Sequence, residues 1–302
     1  MNSNRIWITG GSGVLGRRVV GHLLTQHRVL CLGTDLSRFP EEIRHHANFK
    51  FYQCDLRSFS TANLPKEGIL LFLHMAGVVA DSKAPPEDSF LVNGKATKEL
   101  LDWIKKKGNI PFLFLSSVSV YGNQEKPASI ETNPEGSSLY ARSKREGEEA
   151  VLSYTGPKSI FRMASLYGEG TKSFIAKLSR LHRMRIWPRF RSPRKKSFLS
   201  VEDASASVVF WVNRVMAKKK LEPIYILAET KHWDLDSLRF LFPPRFLFLV
   251  PLEGILGKLL LLVLPQAYHS LGMHLEVVPN WEKLGFFPKK ALEDERKSFN
   301  LP

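Results

Sequence analysis

The sequence predicts an α/β fold in which a doubly wound parallel sheet is followed by a smaller, mixed α/β part. In the first half, short apolar runs alternate with helical patterns, which is typical of strand–helix–strand units and a parallel sheet. After Tyr167 this alternation becomes irregular. A chain of 302 residues can bury the core of such a fold without disulfide bonds. We therefore predict a first domain over residues 1–165 and a substrate-binding part over residues 166–302, which returns some elements to the first domain.

The alternation also predicts the individual elements. Strands of the first domain are predicted at Arg5–Thr9, Arg28–Leu32, Asn48–Gln53, Ile69–His74, Pro111–Ser116 and Lys158–Arg162. Its clearest helices are predicted at Pro86–Lys107 and Ser138–Tyr154. The second part is predicted to contain a helix at Lys172–Arg183, a basic loop, a strand at Ser197–Val201, a helix at Glu202–Met216, a strand at Pro223–Leu227 and two or three further helices.

The first strand runs into a glycine-rich turn and then into an amphipathic helix. Glycines at positions 10, 13 and 16 allow a tight turn, a close approach to a pyrophosphate and close packing of helix on strand. The amides of the helix N-terminus, from Val14 and Leu15 onward, add hydrogen-bond donors and a favourable dipole. Because the motif lies between a strand and a helix, it predicts a dinucleotide-binding Rossmann domain.

The end of the second strand governs the choice between NAD and NADP. An acidic residue there binds the ribose hydroxyls and repels a 2'-phosphate. Gly33 occupies that position and Asp35 lies two residues later, while Arg17 and Arg38 could neutralise a phosphate. Both cofactors stay open, with NADP favoured over NAD, and Asp35 and Arg38 are taken as cofactor-binding residues.

Tyr140 and Lys144 open the helix predicted at Ser138–Tyr154 and lie one turn apart on the same face. A tyrosine that exchanges a proton with an alcohol must lower its pKa from ~10 toward neutrality, a change worth roughly 4 kcal/mol. A neighbouring ammonium and a positive nicotinamide ring both favour the phenolate. We therefore predict that Lys144 acidifies Tyr140, and that both also contact the cofactor.

These motifs resemble the extended short-chain dehydrogenase/reductase family, of the NAD-dependent epimerase/dehydratase type. The resemblance implies that Asp55 and Leu56 contact the adenine and that the turn Met75-Ala76-Gly77 lies beside the cofactor. It implies that Asn93 braces the sheet and that Ser117 is the catalytic serine that polarises the reacting oxygen. It also implies a homodimer.

Within that family, the strand-five motif Ser116-Ser117-Val118-Ser119-Val120-Tyr121-Gly122 resembles nucleotide-sugar enzymes. Dehydratases of the family carry an Asp-Glu pair where this chain has Val118 and Ser119, so 4,6-dehydration is disfavoured. The resemblance implies 4-epimerisation or 4-keto reduction of a UDP- or dTDP-sugar by hydride transfer. It also implies substrate-binding roles for Arg162 and for Lys196, which stands where many relatives place an arginine on the diphosphate.

Two other functions stay open. The first is an oxidoreductase for a hydrophobic alcohol or ketone, such as a sterol or terpenoid, suggested by the apolar stretch Phe246–Leu264. The second is a non-catalytic NAD(P)-binding scaffold, which would have no use for intact Ser117, Tyr140 and Lys144.

The stretch Phe246–Leu264 is the most apolar part of the chain, but it does not have the pattern of a membrane span. Pro251, Glu253, Gly254, Gly257 and Lys258 interrupt it, and Leu259–Leu264 is far shorter than the ~20 residues that a bilayer requires. We predict a buried helix along an apolar side of the substrate pocket, with peripheral membrane contact as the alternative.

The chain is strongly basic, with a net charge of +15. Between Lys172 and Lys220 it carries fourteen Lys or Arg residues against two acids, Glu202 and Asp203. The alternatives are a solvated basic face, a diphosphate-bearing substrate or an anionic membrane surface. We predict no nucleic-acid partner, because no nucleic-acid-binding module accompanies the charge.

The two cysteines, Cys31 and Cys54, each end an apolar run, which predicts buried thiols rather than a disulfide or a metal site. No metal ligand set is predicted. The apolar stretch at the N-terminus is too short for a signal peptide and runs into the glycine turn. We therefore expect a cytoplasmic enzyme.

Overall fold

The computed structural model describes residues 4–59, 64–78, 85–171, 174–244, 246–251 and 274–294. The strands are β1 (Arg5–Thr9), β2 (Val29–Gly33), β3 (Phe49–Gln53), β4 (Ile69–His74), β5 (Phe112–Ser117), β6 (Lys158–Met163), β7 (Ser165–Tyr167), β8 (Ile186–Arg189), β9 (Lys196–Ser200), β10 (Ile224–Leu227), β11 (His232–Trp233) and β12 (Phe248–Pro251). The α-helices are α1 (Val14–Leu24), α2 (Glu41–Arg44), α3 (Pro86–Ser89), α4 (Ala96–Lys105), α5 (Leu139–Leu152), α6 (Phe174–Arg183), α7 (Val201–Met216), α8 (Leu235–Arg239) and α9 (Trp281–Leu284).

Seven strands form the main sheet in the order β10-β6-β5-β4-β1-β2-β3. Every neighbouring pair is parallel. The chain leaves β1 toward one edge through β2 and β3, and then returns to β4 on the other side of β1. This reversal creates a topological switch point at the carboxyl ends of β1 and β4, where doubly wound sheets bind their ligands. The predicted Rossmann fold is confirmed.

The strands of this sheet are apolar because helices cover both of its faces. On one face, Val19 and Val20 of α1 and Trp211 of α7 join a single buried cluster. On the other face, Leu100 of α4 and Val151 of α5 belong to a second cluster. The crevice at the switch point therefore stands on a rigid, fully packed base.

The strands predicted for the first domain agree with the observed ones to within one residue at each end. The predicted helix Pro86–Lys107 is instead divided, because a π-helical turn at Phe90–Lys95 separates α3 from α4. Asn93 lies in this turn and is buried. A π-turn inside a helix is frequent at functional sites.

The second part of the chain has two small sheets and its own buried cluster. One sheet has the order β11-β9-β7, and the other pairs β12 with β8. The cluster is built from large side chains such as Trp187, Phe198 and Trp233. Strand β10 lies in the main sheet although it follows residue 165, so the elements are shared across the predicted boundary. The boundary itself stays a prediction.

Two predictions for the second part are wrong. The basic loop contains a strand, β8, which pairs in parallel with β12. Residues 248–251 form β12 instead of a buried helix, and Phe248 is exposed. Residues 252–264 of the predicted helix lie outside the described residues. Within the described ranges, no helix is long and apolar enough to cross a membrane.

The cysteines are free thiols, with Cys31 buried and Cys54 half-buried. Burial raises the pKa of both thiols, that of Cys54 to about 11. Since the thiolate is the reactive form, neither is a nucleophile at neutral pH.

Candidate active site

The turn between β1 and α1 crosses the end of β4 at very short range. Gly10 adopts a φ of +72°, and a Cβ at this position would lie 2.5 Å from the Ala76 amide nitrogen. Such a distance excludes any side chain, so only glycine allows the two turns to touch. The turn Met75-Ala76-Gly77 is thereby held directly beside the glycine motif, and its contact with a cofactor stays a prediction.

Gly16 fixes the packing of α1. A Cβ there would lie 2.2 Å from the Gly10 carbonyl oxygen, which no side chain could tolerate. Helix α1 begins at Val14, and its N-cap residue Gly13 makes no side-chain capping bond. The first amides of an eleven-residue helix therefore face the switch point, as a pyrophosphate would require. The residues at positions 10–16 fit a dinucleotide.

The ends of β2 and β3 carry the candidate ribose and adenine residues. Asp35 is exposed and accepts hydrogen bonds from the Ser37 amide and hydroxyl, which lower the pKa of its carboxyl. Asp55 caps the turn that contains Leu56 and pairs with Arg57, whose Nη2 lies 2.6 Å from Asp55 Oδ2. Sequence reasoning missed Arg57, a second cation at this edge besides the exposed Arg38.

A chain of hydrogen bonds runs through His74, the last residue of β4. The Ala76 amide donates to Thr9 Oγ1, at 3.3 Å, and His74 Nδ1 lies 2.6 Å from the same hydroxyl. On the other side, His74 Nε2 lies 2.9 Å from Thr97 Oγ1, which donates to the Asn93 carbonyl oxygen. Because Thr97 donates its only hydroxyl proton to that carbonyl, it accepts from His74 Nε2. Burial lowers the pKa of His74 to about 3, so the ring is neutral at neutral pH and its Nδ1 accepts from Thr9.

Asn93 links this chain to the helix that carries the candidate tyrosine. Its amide group donates to the Val78 carbonyl and accepts from the Val78 amide, so it holds the residues that follow β4. It also donates to Ser143 Oγ, which in turn donates to the Tyr140 carbonyl oxygen. The bracing role implied for Asn93 thus extends to α5.

Tyr140 lies in the first turn of α5, whose N-cap Ser138 accepts a hydrogen bond from the Ala141 amide. Ser117 ends β5, and its hydroxyl is a hydrogen-bond partner of the Tyr140 phenol. The two hydroxyls predicted to be catalytic are therefore adjacent. Strand β5 neighbours β4 in the sheet, so the pair stands beside the turn at Gly77.

Lys144 is buried, and its ammonium has two neighbours on the sheet side. Its Nζ donates to the Leu115 carbonyl oxygen, at 2.8 Å, and stands 4.8 Å from the centre of the Phe114 ring. The ammonium also faces the cofactor turn, since a Cβ on Gly77 would lie 2.9 Å from it. Burial lowers the pKa of Lys144 to about 8.

The predicted acidification of Tyr140 is not what this structure shows. Burial raises the pKa of Tyr140 to about 12, and the hydrogen bond to Ser117 opposes this only in part. Lys144 makes no resolved contribution to the pKa of Tyr140, because its ammonium is directed at Leu115 and Gly77. The phenol of Tyr140 is therefore protonated at neutral pH in this structure.

The substrate-binding role expected for Arg162 is corrected by its surroundings. Its side chain is 4% exposed and pairs with Glu148 of α5 through Nε and Nη2, the latter at 2.6 Å. Its Nη1 donates to the Tyr121 hydroxyl, at 2.7 Å. Arg162 therefore fastens α5 to β6 and to the turn after β5, beneath the site instead of within it.

Lys196, the other residue predicted to bind substrate, lies in β9 and is buried. Its Nζ stands 5.1 Å from the centre of the Phe174 ring. Phe174 opens α6 and belongs to the buried cluster of the second part. A diphosphate contact of Lys196 stays a prediction.

A model of the NAD dependent epimerase/dehydratase family matches residues 6–226 of the chain. This chain belongs to that family. The match contains the glycine motif, the Ser117–Tyr140 pair and Lys144. The family is that of the extended short-chain dehydrogenases, so the resemblance given by the motifs is confirmed.

Among the relatives of this family member is the UDP-glucose 4-epimerase of Pasteurella multocida, 31% identical over 154 residues, with 45% of each chain covered. A probable dTDP-4,6-dihydroxy-2-methyloxan-3-one 4-ketoreductase of Streptomyces antibioticus is 27% identical over 173 residues, 56% of this chain and 53% of that protein. The chain spans about half the length of these curated relatives. The solved UDP-glucose 4-epimerase of Thermotoga maritima matches with a TM-score of 0.72 at 20% identity, over 97% of this chain and 96% of that one, which shows the shared fold.

The sequence did not predict the residues that hold the candidate catalytic side chains in place. Thr9, Thr97 and Glu148 were not singled out, although Glu148 lies one turn after Lys144 on the same face of α5. That spacing was the available signal. For the two threonines there was none, because their partner His74 is distant from both along the chain.

The buried, neutral His74 should make the free energy of unfolding depend on pH. Burial lowers its pKa to about 3, from about 6.5 in the unfolded chain, so the folded state favours the neutral ring. This contribution to stability is complete above pH 6.5 and is lost as the pH falls toward 3. Relative to His74→Gln, which keeps an acceptor and a donor, the native protein should lose about 3 kcal/mol of unfolding free energy between pH 6.5 and 4.

Urea unfolding of both proteins across this pH range measures the difference. His22→Gln removes an exposed histidine of α1 and serves as the control, which should follow the native pH dependence. Parallel pH profiles for the native protein and His74→Gln would contradict the neutral, buried ring.

Proposed function

We propose that this chain is an NAD(P)-dependent epimerase or reductase that acts on a nucleotide sugar, by 4-epimerisation or 4-keto reduction. The observation that carries the proposal is the adjacency of the Ser117 and Tyr140 hydroxyls at the switch point. This pair stands beside a glycine turn whose close contacts exclude side chains. The two parts supply a proton-transfer group and a dinucleotide cradle at the same edge of one sheet.

The cofactor would be held by the glycine motif, by the ends of β2 and β3 and by the turn after β4. The residues proposed for this are Gly10, Gly13, Val14, Leu15, Gly16, Asp35, Arg38, Asp55, Leu56, Met75, Ala76, Gly77, Tyr140 and Lys144. When bound, its nicotinamide exchanges a hydride with the substrate carbon. Either NAD or NADP is compatible with the proposal, and the exposed Arg38 favours NADP, while Arg57 is paired with Asp55.

The chain's own residues handle the proton. In keto reduction, the protonated Tyr140 phenol would donate to the developing alkoxide. In alcohol oxidation, a positive nicotinamide ring beside Tyr140 would favour the phenolate, which would take the alcohol proton. Ser117 donates a hydrogen bond to the same oxygen, which stabilises the charge that develops there. Lys144 places its ammonium at the turn that would hold the nicotinamide ribose. Glu148, one turn away, favours the charged form of Lys144 and so opposes the lowering of its pKa by burial.

The family resemblance argues against dehydration. Dehydratases of the family carry an Asp-Glu pair directly after the serine, where this chain has the buried Val118 and Ser119. The matches to a 4-epimerase and a 4-ketoreductase point the same way. The apolar alternative draws no support from the described end of the stretch Phe246–Leu264, where Phe246 and Phe248 are exposed. It does draw support from a 3 beta-hydroxysteroid dehydrogenase/Delta 5-->4-isomerase of Monkeypox virus, which is 25% identical over 185 residues, 55% of this chain and 53% of that protein. A cytoplasmic location and a homodimer stay proposals.

The test is to incubate the full chain with NAD, NADP or their reduced forms and a panel of UDP- and dTDP-sugars. Epimerisation is followed by chromatographic separation of the sugar products, and reduction of a 4-keto sugar by loss of the absorbance of the reduced cofactor. We expect conversion of at least one nucleotide sugar. Failure to convert any of them, with turnover of a sterol or terpenoid alcohol instead, would overturn the proposal in favour of the hydrophobic alternative.

A further inference from the structure

A basic and apolar surface surrounds the pair of strands β8 and β12, away from the proposed catalytic residues. Its apolar members are Met184, Phe246, Phe248 and Leu249, and its basic members are Arg183, Arg185, Arg189 and Arg191. We call this set the β8–β12 surface. Phe246 is 73% exposed, Phe248 63% and Met184 58%. Large apolar side chains that are grouped at such exposure mark an interaction site.

Backbone geometry holds these residues together. Strands β8 and β12 pair in parallel, and the Phe248 amide donates to the Arg185 carbonyl oxygen, at 2.8 Å. The rings of Phe246 and Phe248 pack edge to face, with their centres 5.3 Å apart. Leu247 between them packs on the buried cluster of the second part.

The two chain segments that form this surface contain basic but no acidic residues. From Gly170 to Val201 the chain contains no Asp or Glu, and from Ser237 to Leu252 it again contains none. Arg183, Arg185, Arg189 and Arg191 are all exposed. Arg185 adopts a left-handed φ of 60°, where the chain turns from α6 into β8. The exposed phenylalanines are therefore surrounded by cations without intervening acids in sequence.

We propose that the β8–β12 surface binds an anionic lipid bilayer. Phenylalanine and aliphatic side chains insert into the boundary between headgroups and acyl chains, while flanking arginines attract acidic headgroups. A second copy of the chain fits less well, because a two-fold interface would bring the arginine-rich patches against each other. Nucleic acid would use the arginines, but it would leave Met184 and Leu249 without a partner.

The test uses the full chain and vesicles made of equal parts phosphatidylglycerol and phosphatidylcholine, compared with vesicles of phosphatidylcholine alone. Co-sedimentation should show binding about tenfold or more stronger to the anionic vesicles, and weaker binding as salt is added. Phe246→Ser with Phe248→Ser should reduce binding by about tenfold or more. Arg183→Gln with Arg189→Gln should reduce it by a similar factor.

Matched controls come from exposed positions elsewhere. Lys105→Gln with Lys106→Gln removes the same charge from α4, and Leu152→Ser removes an exposed apolar side chain from α5. These variants should bind vesicles like the native chain. Circular dichroism and NAD binding of every variant establish that it is folded, independently of any sugar turnover.

Two results would overturn the proposal. Equal, weak binding to both kinds of vesicle, while single-stranded DNA or RNA binds and loses affinity in the arginine variant, would assign the surface to nucleic acid. A dimer in light scattering that the double phenylalanine variant converts to a monomer, without vesicle binding, would assign it to a second copy of the chain.

Discussion

Tyr140→Phe is expected to lower kcat for the nucleotide-sugar reaction by about 100-fold to 10,000-fold, the range that a positioned acid or base contributes. The substitution removes only the phenolic oxygen, so the half-buried ring, α5 and the cofactor turn should be retained. Cofactor affinity, measured by quenching of the protein's tryptophan fluorescence, should change little. A large loss of kcat with intact cofactor binding is the signature of a residue that acts on the reacting oxygen.

The matched control is Tyr154→Phe, just beyond the end of the same helix, where the hydroxyl donates to the Ile110 carbonyl oxygen. This variant loses a hydrogen bond but should keep its activity within about twofold, because the lost bond affects stability more than chemistry. If Tyr140→Phe retained native kcat with every convertible sugar, Tyr140 could not be the proton-transfer group. The protein would then be better explained as a binding scaffold.

The pKa of Tyr140 adds a condition on pH. With burial raising it to about 12, the phenol stays protonated between pH 6 and 9. For keto reduction at saturating cofactor, kcat/KM should therefore show no ionisation of Tyr140 in this range. If kcat/KM instead changed with pH near neutrality, and this change disappeared in Tyr140→Phe, the bound cofactor would lower the pKa of Tyr140 as expected from the sequence.

The parts of the fold that could be predicted are those specified by neighbouring residues. Glycines 10, 13 and 16 follow a strand and precede a helix, and the contacts at Gly10 and Gly16 show why no other residue would serve. The pairing of β8 with β12 could not be predicted in this way. It joins residues 62 positions apart, and Ile186 and Phe248 carry no local signal for each other.

In the candidate site too, features set by local spacing could be predicted and features set by tertiary packing could not. Tyr140 and Lys144 share a helix face, so their proximity follows from helical periodicity. The direction of their pKa values depends instead on which groups surround them after folding. Burial raises the pKa of Tyr140 and lowers that of Lys144, and the Lys144 ammonium donates a hydrogen bond to the Leu115 carbonyl oxygen. Arg162 was misassigned for the same reason, because its partner Glu148 reaches it only through tertiary packing.

Glu148→Ala is expected to destabilise the protein by about 3–5 kcal/mol, since it leaves the Arg162 guanidinium buried without its carboxylate. Both side chains are 4% exposed, and Arg162 donates to the Glu148 carboxylate from Nε, which is shared between the two oxygens, and from Nη2. The free energy of unfolding, from urea titration, measures the loss. Asp102→Ala removes the partner of Lys105 in an exposed ion pair on α4 and should cost less than about 1 kcal/mol.

The double variant Glu148→Leu with Arg162→Met separates the cost of an unpaired charge from the value of the pair. Replacing both charges by apolar side chains of similar size should recover most of the stability lost in Glu148→Ala, because no buried charge is left unpaired. It should also leave the KM for the nucleotide sugar nearly unchanged, as Arg162 lies beneath the site. If the double variant were as stable as the native protein but bound the sugar many times more weakly, Arg162 would contact substrate after all. In that case Arg162 would both anchor α5, which carries Tyr140, and bind the sugar.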